Sequence, residues 1–259
     1  MKDTKLNKGT SRFEFQRRVA TALFVLAVAV APLRADDTMA QPSQPVDVSH
    51  LHYLKADKPD AIALLAPPPL ADSAEQAADM DAVRAVYHAA NSNDIAAAYS
   101  EKKFDIFNFT PAIGAFFQSN SLPKTTVFFH RVQTDAEAVT DNAKDFYKRP
   151  RPYVTDPSLA NGKLEKSFSY PSGHATESMV LALVLADLFP DKHDAIIAEA
   201  RGIGWRRVEI ARHYPTDIYA GRVLAQAIVK QMNKNADFQR DFAEAKSEIA
   251  TALAANHSN

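Results

Sequence analysis

Three short stretches of the chain hold side chains that could bind an anion or transfer a proton. In residues 170–174, the sequence Tyr-Pro-Ser-Gly-His places Ser172, Gly173 and His174 directly before the apolar run of residues 175–189. This run predicts a buried helix that is too short to span a membrane. The free amides and positive dipole end at its N-terminus would attract anions, phosphate above all. A plain helix-capping turn is the alternative interpretation of the same residues.

The second stretch combines basic residues with prolines. Thr134 and Glu137 have the spacing of a capping box, which predicts a helix that starts there and ends before Pro150. Lys144 would then lie near a helix end, and Arg151 follows it by seven residues in an Arg-Pro unit whose direction the proline fixes. The two cations could bind an anion together, or they could belong to a solvated basic patch.

The third stretch brings a histidine and a carboxylate together. Arg207 and His213 are six residues apart, and Pro215 indicates a break between two helices. Asp217 would lie in the first turn of the second helix, where it can accept the imidazole N–H of His213. A histidine held in one tautomer by an aspartate is suited to act as a nucleophile or base. The alternative is a pair that only stabilises the fold.

The rest of the sequence also indicates helices. The pattern of caps, prolines and apolar residues predicts helices over residues 73–90, 95–107, 111–117 and 218–232. The phenylalanines between residues 104 and 129 are expected to fill a core. Together with the buried helix after His174, these elements predict an all-α fold, a helical bundle.

Composition narrows the class of protein. A chain of 259 residues, 46% apolar and 24% charged, is typical of one globular domain. There are no cysteines, which excludes disulfides, thiolate catalysis and Cys-ligated zinc. No other metal site is predicted, because Glu177 follows His174 by three residues but a further ligand is missing.

The N-terminus predicts export. Residues 1–35 combine basic residues, a short apolar run and small residues, which is the pattern of a signal peptide cleaved after Ala35 or Ala40. Cleavage after Ala35 removes seven Lys/Arg and two Asp/Glu, and changes the formal net charge from −1 to −6. This acidic balance argues against a nucleic-acid partner. Export without disulfides indicates the periplasm, with an N-terminal arm over residues 36–60 and a single domain over residues 61–259.

Considered jointly, the three stretches resemble the signature of the type 2 phosphatidic acid phosphatase superfamily. From about Leu64 to the C-terminus, the chain resembles the bacterial class A non-specific acid phosphatases, which implies a helical bundle of the acid phosphatase and vanadium haloperoxidase type. Three positions depart from the usual pattern. Arg206 stands where serine is usual, Ala211 where glycine is common, and Ala175 where threonine usually follows the first histidine. Each departure could alter pocket shape, substrate preference or rate.

The resemblance implies a role for each residue of the signature. It assigns phosphate binding to Lys144, Arg151, Ser172, Gly173 and Arg207. His213 would attack phosphorus and form a phosphohistidine, with Asp217 orienting it. His174 would protonate the leaving alcohol and then activate water, so activity should fall on the alkaline side as His174 loses its proton. This chemistry requires no metal and no cofactor, and the substrates would be small phosphate monoesters.

Three other functions fit parts of the sequence. Vanadium haloperoxidases share the site but have longer chains, and membrane lipid phosphatases share it but carry several spanning helices, which this chain lacks after signal cleavage. A phosphate-binding or scaffold protein would need the cations but could dispense with His213. The resemblance also suggests homo-oligomerisation. The physiological monoester, a phosphotransferase activity and the number of subunits do not follow from the sequence.

Overall fold

The structure is a computed structural model that describes residues 50–257. The predicted signal peptide, its cleavage sites after Ala35 and Ala40, and the arm up to residue 49 lie outside the described residues. Within residues 50–257 the chain forms helices joined by loops and contains no strand, which confirms the predicted all-α fold. The ten α-helices of this part are α1 (Ala61–Leu64), α2 (Ala74–Ala89), α3 (Ser92–Ser100), α4 (Thr110–Ile113), α5 (Pro123–Tyr147), α6 (Pro152–Thr155), α7 (Gly173–Leu188), α8 (His193–Glu209), α9 (Pro215–Met232) and α10 (Ala236–His257).

Helix α7 forms the centre of the bundle, as the apolar run predicted. Its residues are apolar on almost every face, and Val180, Leu181 and Leu185 have no or almost no exposed surface. A helix that is hydrophobic all round must be enclosed by other elements, and α5, α8 and α9 pack against it. The N-terminus of this central helix is therefore held rigidly by three neighbours.

Two glycines allow α8 and α9 to approach the beginning of α7. A Cβ on Gly204 would lie 3.2 Å from the Cβ of Ala175, and a Cβ on Gly221 would lie 2.8 Å from the carbonyl oxygen of Ser172. The second distance is shorter than real contacts allow, and a backbone carbonyl in a helix turn cannot easily move away. Ala175, small where threonine is usual, fits into this close contact.

Helix α5 corrects one prediction. The capping box of Thr134 and Glu137 does not start a helix, because α5 begins eleven residues earlier at Pro123 and runs through both. Inside the helix the Thr134 hydroxyl donates to the His130 carbonyl at 2.9 Å. The predicted C-terminal end is right: α5 ends at Tyr147.

The start of the described chain corrects a second prediction. Residues 36–60 were expected to form a loose arm, but residues 51–54 pack into the core, where Leu51 and Leu54 are fully buried. The buried Asp135 side chain accepts hydrogen bonds from the backbone amides of His52, Tyr53 and Leu54, at 2.7, 2.7 and 2.9 Å. Three amides that would otherwise be unsatisfied on burial are thus paired by a residue about 80 positions away.

Between residues 95 and 117 the helices are shorter than the sequence predicted. The phenylalanines between residues 104 and 129 fill the core as expected. α3 ends at Ser100 and α4 at Ile113, with a 3₁₀ turn at Ile106–Phe109 before α4. The buried phenylalanines of this segment are Phe104, Phe109, Phe117, Phe128 and Phe129. Within residues 50–257, none of the helices combines the length and hydrophobicity needed to cross a bilayer.

Candidate active site

The residues singled out from the sequence lie at helix ends and in the loops beside them. Lys144 is in the last turn of α5, and Arg151 directly precedes α6. Ser172 is the N-cap of α7, so Gly173 and His174 form its first turn. This placement agrees with what the prolines and the apolar run predicted.

The third stretch folds as a turn between α8 and α9. Arg207 lies in the last turn of α8, and Asp217 lies in the first turn of α9, as predicted. Helix α9 begins at Pro215, three residues before the predicted start at Ile218. His213 lies in the turn between the two helices and is almost fully buried. The backbone N–H of Ser172 donates to the carbonyl of Asp217 at 3.1 Å, so this turn and the start of α7 meet in one site.

His213 is held between Asp217 and Arg151. Its Nδ1 lies 3.3 Å from Asp217 Oδ2, and its Nε2 lies 3.3 Å from Arg151 Nη1. A guanidinium group only donates hydrogen bonds, so Nε2 is the unprotonated nitrogen and Nδ1 carries the hydrogen. Burial, followed by the charge of Arg151, lowers the pKa of His213 well below its ordinary value. The ring is therefore neutral, with the Nε2 lone pair directed toward Arg151.

Asp217 orients this histidine from a fixed position. The carboxylate is fully buried and also accepts hydrogen bonds from Arg149 Nη1 at 2.6 Å, Ser169 Oγ at 2.5 Å and the Tyr214 amide at 2.9 Å. Sequence reasoning did not identify Arg149 or Ser169 as site residues, because their partner lies 68 and 48 positions away.

A carboxylate joins the two arginines of the site. Glu165 Oε2 lies 2.6 Å from Arg151 Nη1, and Glu165 Oε1 lies 2.5 Å from Arg207 Nη2. Burial acts to raise the pKa of Glu165, but the charges of Arg151 and Arg207 outweigh it and lower the pKa to about 2. Glu165 is thus ionised, and each of its two oxygens pairs with one guanidinium group. It was missed because the sequence showed only a polar loop around it.

Lys144 adds a further cation beside the start of α7. Its Nζ donates to the Phe168 carbonyl at 3.1 Å and lies 4.0 Å from the position of a Cβ on Gly173. Burial and the nearby Arg151 lower the pKa of Lys144 to about 8, so the ammonium form still dominates in acid. A side chain on residue 173 would fill the space between Lys144 and Glu177, which explains why this position suits glycine.

Glu177 is partly buried. It accepts a hydrogen bond from Gln133 Nε2 at 3.0 Å, and burial raises its pKa to about 7. Among the residues that the structure describes, no group of three or more His, Cys, Asp or Glu side chains is arranged to hold a metal ion.

His174 lies against the end of α3. Its Nε2 is 3.1 Å from the backbone carbonyl oxygen of Glu101, and its ring packs against Phe104 with centroids 5.4 Å apart. A carbonyl only accepts, so Nε2 carries the hydrogen and Nδ1 is the nitrogen that can gain or lose a proton. Burial, followed by the charge of Arg207, lowers the pKa of His174 to about 3.

Two of the three departures from the family pattern now have a structural account. Ala211 has a left-handed backbone with φ of 52°, the conformation for which glycine is the usual choice, and its methyl group is fully buried. Ala175 fits between Gly204 and Gly221. Neither position places a side chain among the cations or histidines of the site.

Comparisons with known proteins show the family of the chain. Residues 133–237 match the model of the PAP2 superfamily. The chain is 31% identical over 216 residues to a non-specific acid phosphatase from Providencia stuartii, covering 77% of this chain and 85% of that protein. It is 29% identical over 224 residues to an acid phosphatase from Zymomonas mobilis subsp. mobilis, covering 83% of each chain. A shorter match, 43% identical over 53 residues, covers 20% of this chain and 23% of a lipid A 1-phosphatase from Rhizobium etli.

Helical fold, cationic site and relatives together define a phosphatase. The chain belongs to the PAP2 superfamily, which confirms the resemblance carried by the three stretches. Its relatives over most of the chain are acid phosphatases, as the sequence predicted.

The pairing of Glu165 with both arginines predicts that this carboxylate competes with phosphate. In Glu165→Gln the ionic contacts are lost, so inorganic phosphate should bind about tenfold or more tightly, since hydrogen bonds to charged groups contribute about 1.5–3 kcal/mol. Calorimetric titration with phosphate measures this. Glu244→Gln, which removes an exposed carboxylate 3.7 Å from Lys124, is the matched control and should leave the affinity unchanged. Unchanged or weaker phosphate binding in Glu165→Gln would show that Glu165 does not compete.

Proposed function

We propose that the protein is an exported acid phosphatase that hydrolyses small phosphate monoesters through a phosphohistidine on His213, without a metal ion. The observation that carries this proposal is the 3.3 Å contact between the unprotonated Nε2 of His213 and Arg151 Nη1. A nucleophilic nitrogen directed at a phosphate-binding guanidinium would stand next to the phosphorus of any ester bound there.

The cations replace what a metal ion would supply. Phosphoryl transfer needs positive charge and N–H donors around three equatorial oxygens. Arg151, Arg207 and Lys144 provide that charge from three different helices or helix ends, and the first amides of α7 add donors. Ser172 serves as the cap, because its Oγ accepts from the Ala175 amide at 3.3 Å, and its hydroxyl hydrogen is free to donate to a phosphoryl oxygen.

The reaction then proceeds in two steps. His213 Nε2 attacks phosphorus while the bond to the ester oxygen breaks, and His174 Nδ1–H donates its proton to the leaving alcohol. His174, now neutral, removes a proton from water, whose oxygen attacks the phosphohistidine and releases phosphate and neutral His213. Asp217 holds Nδ1–H throughout and stabilises the positive charge that the ring carries while it is phosphorylated.

Export and the partners of the protein belong to the same proposal. The leader pattern of residues 1–35 supports secretion to the periplasm, and N-terminal sequencing of protein from that fraction would identify Ala35 or Ala40 as the last residue removed. Recovery of uncleaved chain in the cytosol would contradict it. The acidic net charge supports small phosphate monoesters, rather than nucleic acids, as partners.

The nucleophile is tested with p-nitrophenyl phosphate in the presence of EDTA. His213→Ala should lower kcat/KM by about 10³-fold or more, the order lost when a covalent nucleophile is removed. His193→Ala removes an exposed histidine and should retain full activity. A phosphoenzyme that survives alkaline denaturation should be trapped from wild type and be absent from His213→Ala. Loss of activity in EDTA with recovery in Zn²⁺ or Mg²⁺, or halide oxidation with vanadate in place of hydrolysis, would contradict the proposal.

The two histidines also predict the pH dependence of kcat. A bound monoester brings up to about two negative charges, which raise the pKa of His174 above its value of about 3 in the free site. The acid form of His174 is then populated in acidic solution and is lost as pH rises, while His213 stays neutral because its pKa is lowered. We expect kcat to peak in acid and to fall on the alkaline side between pH 4 and 9. His174→Gln should lose that alkaline limb, and an optimum well above pH 7 in wild type would contradict the assignment.

A further inference from the structure

Arg206, the third position that departs from the family pattern, forms a salt bridge beside the site. Its Nε donates to Glu101 Oε2 at 2.8 Å, its Nη2 donates to Glu101 Oε1, and the same Nη2 lies 2.8 Å from Glu199 Oε1. The side chain of Glu101 is 8% exposed, so this fork of two hydrogen bonds is largely removed from solvent. A two-pronged arginine–carboxylate pair fixes geometry as well as charge.

Helix α8 leaves room for the side chain of Arg206. A Cβ on Gly202 would lie 2.8 Å from Arg206 Nη1, so the glycine leaves the room in which the guanidinium lies. A serine at position 206 could not reach Glu101, because only the long arginine side chain spans the distance from α8 to the end of α3. The next residue, Arg207, donates through Nη1 to the Ala98 carbonyl at 3.2 Å, so two neighbouring arginines hold the same end of α3.

The group held in this way is the partner of His174. Glu101 is the C-cap of α3, and its backbone carbonyl is the acceptor for His174 Nε2–H at 3.1 Å. A side-chain salt bridge that fixes Glu101 therefore fixes the carbonyl that sets the tautomer and direction of the His174 ring. With Nε2 engaged, Nδ1 is the nitrogen that delivers the proton.

We propose that Arg206, acting through Glu101, is a positioning residue that orients His174 for proton transfer to the leaving group. This inference rests on the proposed function, in which His174 is the general acid. It assigns a role to the residue that stands where serine is usual. Arg206 itself need not touch the substrate, so its effect should depend on how much the leaving group needs a proton.

Two substrates with different leaving groups distinguish a loss of proton transfer from a general loss of activity. Glycerol 2-phosphate leaves as a basic alkoxide and needs the proton, whereas p-nitrophenyl phosphate leaves as a stable phenolate. In Arg206→Ser, kcat/KM for glycerol 2-phosphate should fall about tenfold or more, because misplacing a catalytic group costs up to about 10²-fold. The kcat/KM for p-nitrophenyl phosphate should change less than about threefold, because a stable phenolate leaving group depends little on acid catalysis. kcat/KM is used because it reports the step in which the ester bond breaks.

Three further variants sharpen the experiment. Glu101→Gln should show the same selective loss, and the double variant with Arg206→Ser should lose no more than the larger single effect, because both act through one contact. Arg131→Ser removes an arginine that pairs with Asp241 at 2.8 Å, thirteen residues or about 20 Å along α5 from Lys144, and should alter neither substrate. If Arg206→Ser does not fold, Arg206→Lys keeps the charge without the fork and should show a smaller loss of the same selectivity.

The tautomer of the His174 ring can also be measured directly, without enzyme turnover. Nitrogen-15 spectra of the His174 ring should show hydrogen on Nε2 in wild type and a mixture of tautomers in the Arg206 variant. An equal loss for both substrates, no loss for either, or an unchanged tautomer would overturn the inference while leaving the phosphatase assignment intact. If wild type hydrolyses neither ester, the proposed function fails instead, and the spectra still decide whether Arg206 positions the ring.

Discussion

Buried positive charge is the constraint on which the rest of the structure depends. Arg149, Arg151 and Arg207 each expose 5% or less of their surface, and a buried charge is tolerated only when it is paired. Arg149 has two aspartate partners, whereas Arg151 and Arg207 share a single carboxylate, that of Glu165. At this point of the site, two buried guanidinium groups therefore share one negative charge. Glu165 belongs to a loop between α6 and α7 rather than to a helix.

Asp217 links two parts of the site, one through its side chain and one through its backbone. Its carboxylate holds His213 Nδ1, and its backbone carbonyl accepts the N–H of Ser172. His213 and the turn that carries His174 are thus fixed to the same residue of α9. Gly221, one turn further along, lets α9 approach closely enough for the second contact. The close approach that Gly221 allows is thus also what holds the turn of His213 against the start of α7.

The sequence correctly placed His213 beside Asp217, but it misplaced part of the local structure around them. Spacing alone brought His213 and Asp217 together, because prolines and caps determine where helices break. The same rules failed at Thr134, where a local capping pattern was overridden by a long helix with many tertiary contacts. They could not reveal that Leu51 is buried or that Glu165 pairs with two arginines, because both depend on partners far along the chain. Local patterns carry no information on such contacts until the fold exists.

The lowered pKa values of both histidines suggest how charge balance and catalysis are linked. In the free site burial and the arginines favour neutral imidazole at His174 and at His213. In the proposed mechanism a neutral His213 can attack phosphorus, but a neutral His174 cannot act as an acid. Two negative charges on the substrate change this, because they offset the arginines and favour the protonated form of His174. In the proposed mechanism, His174 would thus gain its proton when the phosphoryl group binds, while burial and Arg151 keep His213 unprotonated.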